Sequence, residues 1–133
     1  MSDDPRWPAP WVRAALDLAI LGSLIDGPLH GYALAQTLGE RGFGRLRGGS
    51  LYPVLSRLEE SGLVSTTWVE GESGPGRKDY ELTPDGRAHL RDALADWADL
   101  TTELTTPVGL AIAHNATAKS ASHRPRTTER VSR

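Results

Sequence analysis

The stretch Gly49 to Val64, GSLYPVLSRLEESGLV, limits what this chain can fold into more than any other. Leu51, Val54, Leu55, Leu58 and Leu63 recur so that most of them share one face of a helix. Ser56, Arg57, Glu59 and Glu60 fall largely off that stripe, and Gly62 stands where a left-handed cap would end it. Directly afterwards the period drops to two. Val64, Thr66 and Trp68 alternate with Ser65, Thr67 and Val69, which is the pattern of a strand.

The start of that helix has two readings. Ser50 can cap it, with Pro53 in the first turn, where a missing N–H loses no partner. If the helix begins nearer Arg47, Pro53 has to bend it. Both readings give a small, hydroxyl-rich end made by Ser50 and Tyr52, with Arg47 upstream and Arg57 one turn on. Free backbone N–H groups and the positive helix terminus favour anions there. Taken alone, the stretch fits an ordinary core helix equally well.

The flanking sequence supplies the context. A helix is expected from Trp11 to Ile25, with Ala14, Ala15, Leu18, Leu21, Leu24 and Ile25 on the main stripe and Leu16 and Ile20 off it. Apolar coverage this wide implies contacts on more than one side. Asp26-Gly27-Pro28 ends this helix, and His30-Gly31-Tyr32 opens a short second one with Tyr32, Ala35 and Leu38 inward. The link GFGRLRGG then leads to the Gly49 helix, an arrangement that fits a helix-turn-helix. After the first strand, EGESGPG is a turn, and Lys78, Tyr80 and Leu82 alternate with Asp79 and Glu81 on the way back. A helix-turn-helix followed by a hairpin is a winged helix, with Arg77 and Lys78 near the tip of the wing. They are either solvated hairpin residues or contacts to phosphate or the minor groove.

Thr83-Pro84-Asp85 opens the final helix with a capping hydroxyl, a proline at the first helical position and an early acid. Leu90, Leu94, Trp97, Thr101 and Leu104 make a heptad-like seam along it, too short for a free coiled coil and too long for so small a body to cover. Pairing with another subunit is therefore expected. The fold class expected is α+β, mostly α: a winged helix-turn-helix with a long C-terminal dimerisation helix. A loose arm spans 1–10, the DNA-binding domain 11–82, the dimerisation helix 83–106 and a disordered basic tail 107–133. From His114 on, that tail carries five basic residues against one acid.

Totals narrow the function. A chain of 133 residues has room for one modest core, and a formal charge of −2 argues against an overall basic coat while leaving room for a local basic face. There is no cysteine, hence no disulfide or thiol chemistry. The N-terminus is acidic and proline-rich, unlike a secretory signal, and the longest apolar stretch, Ala14 to Ile25, carries Asp17 and is too short for a membrane span of about 20 residues. A cytoplasmic protein without a membrane partner is expected. No phosphate loop, cysteine nucleophile or His–carboxylate pair beside a serine is present, so neither an enzyme nor a cofactor is expected. Two alternatives stay open: a winged helix used only for protein–protein contact, and a metal sensor built on Asp85, His89 and Asp92, which share a helix face.

Together GPLHGYALAQTL, GSLYPVLSRLEESGLV, GPGRKDYELTPDGR and ADWADLTTEL resemble the PadR family of bacterial transcriptional regulators, over about residues 12–105. The single terminal helix is similar to the family's short subclass. The resemblance implies a homodimeric repressor on an inverted repeat, a palindromic operator in double-stranded DNA, with the first and last helices forming the subunit interface. It implies DNA contact for Ser50, Tyr52 and Pro53 at the start of the recognition helix, and for Arg77 and Lys78 in the wing. His30 would lie near the DNA backbone and Tyr32 in the core. Arg47 would add a phosphate contact, and Arg57 either a base contact or an ion pair with Glu60 or Asp79. Trp97 matches a tryptophan that stacks on flat aromatic effectors in some members, and Leu18, Leu90, Leu94, Trp97 and Leu104 would line the dimer interface. Asp79 departs from the basic or aromatic residue more frequent there.

Overall fold

The first helix, α1 (Ala9–Ser23), begins two residues before the expected start, because Pro10 in the first turn gives up no helical bond. The computed structural model describes residues 4–108. After α1 come β1 (Leu29–His30), α2 (Gly31–Glu40), α3 (Gly48–Glu60), β2 (Val64–Val69), β3 (Arg77–Leu82) and α4 (Pro84–Thr105). The class is α+β and mostly helical: a winged helix followed by one long helix. Among the described residues no helix is long and apolar enough to cross a membrane. Tail residues from 109 on, with Lys119, Arg124, Arg126, Arg130 and Arg133, lie outside the described residues.

The face that α1 buries shares Leu21 and Leu24 with the expected stripe and otherwise differs from it. Leu16, Ile20 and Leu24 enter the core with Leu21, while Ala14 is exposed, Leu18 is half-buried and Trp11 and Ile25 are exposed at 64% and 44%. Apolar residues occur on two sides of this helix, and the core takes the side with the longer side chains. Leu34 and Leu38 mark the buried side of α2. Tyr32 lies two residues from Leu34, about 200° round the helix, so it is 62% exposed and outside the core in which it was expected.

A strand the sequence did not reveal, β1, makes a third member of the sheet. The order is β1-β3-β2, all antiparallel, with Leu29 opposite Tyr80 and His30 opposite Asp79. Two residues are too few to show a period of two. The hairpin forms from the two expected strands, and its register runs from Val64 opposite Leu82 to Val69 opposite Arg77. Val64, Tyr80 and Leu82 close the core over Leu51, Leu55 and Leu58 of α3.

The ends of α3 and α4 follow from local chemistry. Gly62, at φ 77°, continues past the Ser61 cap, with its amide on the Glu59 carbonyl at 3.0 Å and the Leu63 amide on Leu58 at 3.0 Å. Thr83 caps α4: its hydroxyl accepts the Gly86 amide at 2.9 Å and donates to the Gly62 carbonyl at 2.7 Å. Among the described residues, those up to Ala95 belong to one compact unit and those from Asp96 to a second.

Candidate nucleic-acid interface

Of the two starts open to α3, the structure takes the earlier. Arg47, with extended backbone, is the N-cap, and its carbonyl accepts the Ser50 and Leu51 amides at 2.9 Å each. Ser50 is therefore inside the helix and does not cap it. Pro53 is interior too and has no N–H to offer the Gly49 carbonyl four residues back. Both glycines of this first turn are exposed, so water can serve the groups the proline leaves.

Ser50, Tyr52 and Pro53 are exposed at this end. The Tyr52 ring crosses the start of α2 so closely that a Cβ on Gly31 would meet its hydroxyl and ring carbons. It also lies against Gly48, where a Cβ would be 3.4 Å from the ring. Tyr52 thus joins the openings of α2 and α3 while keeping an exposed edge. Beside it, the His30 and Tyr32 rings stack at 6.4 Å between centroids and 19° between planes. Tyr32 belongs to this surface rather than to the core; its position opposite Leu34 on the helix was the signal available.

The wing lies against the other end of α3. Glu59 accepts the Thr66 hydroxyl at 2.9 Å and sits 3.9 Å from the Lys78 ammonium. Arg77 pairs with Asp79 at 3.1 Å, so both expected wing cations already face carboxylates. The cations of both pairs are more than half exposed, so the pairs stabilise only weakly, by about 0–1 kcal/mol for exposed pairs, and a phosphate can compete for them. Tyr80, under the wing, has its pKa raised above the ordinary 10.0, first by burial and then by Tyr52 and Glu59 nearby.

Arg57 is committed elsewhere. Its guanidinium pairs with Asp17 of α1 at 3.0 Å, and with neither Glu60 nor Asp79. Arg47 has no ion pair among the described residues, and neither has Arg45, which the sequence reading passed over. Trp68 was read only as a strand residue; it is 60% exposed, across the ladder from Lys78.

The residues expected between subunits divide. Leu90 is 3% exposed and belongs to the core, because the capped first turns of α4 hold it there. Leu18 and Trp97 are half-buried, whereas Leu94 and Leu104 are exposed, Leu104 at 74%. Asp85, His89 and Asp92 are all exposed on α4, and no group of three or more potential metal-ligating side chains occurs among the described residues.

Comparison with known proteins agrees with this geometry. The Transcriptional regulator PadR-like family matches residues 20–92, more than half of the chain. Transcriptional regulator Rv3488 of Mycobacterium tuberculosis is 44% identical over 81 residues, 60% of this chain and 73% of that one. A PadR family transcriptional regulator from Eggerthella lenta superimposes with a TM-score of 0.66 at 34% identity, over 71% of this chain and 82% of that one. Bacillus subtilis PadR, solved in complex with operator DNA, gives a TM-score of 0.55 at 30% identity, over 60% of this chain and 45% of that one. The chain belongs to the PadR-like family of transcriptional regulators.

Proposed function

We propose that this protein is a repressor that binds a palindromic operator in duplex DNA as a homodimer. One observation carries the reading. The exposed end of α3, with Arg47, Ser50 and Tyr52, lies in a winged helix whose relative from Bacillus subtilis was solved on operator DNA. Arg47, Arg77, Lys78 and His30 contact the backbone and fix register; Ser50, Tyr52 and Pro53 meet base edges. Arg57 holds α3 to α1 through Asp17 and acts only indirectly. A duplex-DNA target fits the expected cytoplasmic location.

Pairing rests on exposed apolar residues: Trp11 and Ile25 on α1, and Leu94, Leu100 and Leu104 on α4. Leu18 and Trp97 flank these positions on their helices. Trp97 is the contact for a flat aromatic effector, which lowers DNA affinity only by its preference for the non-binding geometry.

A second reading, a winged helix that binds protein and not DNA, is favoured by the pairing of Arg77 and Lys78 with carboxylates. A gel shift against a duplex selected from a random pool separates the two. DNA binding requires a shifted band that weakens with salt, and it weakens further when Arg77 and Lys78 are both changed to Ala. No shift in low salt favours the protein partner.

A further inference from the structure

The segment Pro5–Trp7, ahead of α1, lies across the turn between α2 and α3. The Arg6 amide donates to the Gly42 carbonyl at 2.8 Å. The Trp7 and Phe43 rings meet at 5.4 Å, tilted by 51°. Pro5 approaches Gly44 so closely that a Cβ there would be 3.0 Å from the Pro5 nitrogen. From the other side, the Arg41 guanidinium donates to the Ser23 hydroxyl at 2.8 Å and to the Ala19 carbonyl at 3.2 Å. Directly after these two holds the same turn carries Arg45 and Arg47, both exposed and without an ion pair among the described residues.

We propose that Pro5–Trp7 is a positioning strap for DNA binding: it holds the α2–α3 turn in the form that presents Arg45 and Arg47 to phosphate. The proposal rests on the reading that this protein binds duplex DNA. Gly42 and Gly44 take positive φ, 97° and 86°, and glycines leave a chain the most conformations to lose. A turn built on them and left alone has to be ordered when DNA arrives. The strap orders it beforehand, so that cost is absent from the binding step. Trp7 and the Arg6 backbone thereby act through the turn, without touching DNA themselves.

The test uses the full chain and a duplex selected from a random pool with the unaltered protein. Trp7→Ala is expected to raise Kd about tenfold, the factor that corresponds to ordering roughly one residue's backbone. Trp7→Phe, which keeps a ring for Phe43, is expected to restore affinity to within about twofold, and the salt slope stays unchanged because no phosphate contact is lost. Arg6→Pro deletes the N–H given to Gly42 and should weaken binding more than Arg6→Ala, which keeps it. Limited trypsin digestion without DNA supplies an independent reading: cleavage after Arg45 and Arg47 should quicken in Trp7→Ala. Affinity of Trp7→Ala within twofold of the unaltered chain, equal cleavage rates, or a Tm loss that Trp7→Phe does not repair would each overturn the strap. If the unaltered chain enriches no duplex, the DNA reading falls by itself, and the trypsin comparison still decides whether the strap holds the turn.

Discussion

A phenol in a core this small has an effect that appears only in base. Tyr80 is 4% exposed, and its pKa stands above 10.0 because burial disfavours the phenolate, with Tyr52 and Glu59 adding to the shift. Below pH 10 both folded and unfolded chains hold the proton, and the phenol's contribution is complete. Above it the unfolded chain loses the proton first, so stability falls as pH rises towards the folded pKa. Tyr80→Phe should flatten that alkaline loss in urea melts between about pH 9 and 11, close to the ordinary tyrosine pKa; an unchanged loss would assign it to other groups. The arginines separate at the same scale. Arg47→Ala should lower the salt slope of DNA binding by about 1.8 for the proposed dimer, about 0.9 for each of its two phosphate contacts. Arg57→Ala should leave the slope alone, since Arg57 lies in the last turn of α3 against Asp17 of α1, away from the helix's N-terminal end.

At the scale of the element, α4 would carry two different jobs along its length, core packing and the proposed subunit pairing. Leu90 is packed in the core, so Leu90→Ala should cost about 2–5 kcal/mol of folding stability, measured by denaturant titration. Leu104, 74% exposed, should leave the protomer's folding almost unchanged when made Asp, yet loosen subunit pairing in sedimentation. Equal destabilisation by both changes would contradict that division. Spacing sets Leu90 and Leu104 on one expected seam, but it cannot say where along that seam the protomer's own core stops. The same limit explains α1, where apolar residues on two faces left the buried side undecided. Ends with strong local chemistry were legible: the Gly62 cap, the Thr83 cap and the two hairpin strands all follow from a few neighbouring residues. The two-residue β1 was not legible, because it exists only through its pairing with β3. Tyr52 and Arg47 could be picked out as exposed helix-end residues. The carboxylates facing Arg57, Arg77 and Lys78 are tertiary or cross-strand details, apart from Asp79, which is near in sequence.

For the whole molecule, a net charge of −2 means that duplex binding must come from local placement of cations, not from an overall field. On the proposed reading, Arg45 and Arg47 at the α2–α3 turn and the wing pair Arg77 and Lys78 are the placed groups. A homodimer doubles them and would set two α3 ends about 34–36 Å apart, one turn of DNA. The most direct measurement is selection of bound duplexes from a random pool by the purified full-length protein in low salt, followed by sequencing. The predicted result is an inverted repeat with half-site centres about 10 base pairs apart, bound by two protomers. Recovery of no enriched sequence, or of a single half-site bound by one protomer, would contradict it.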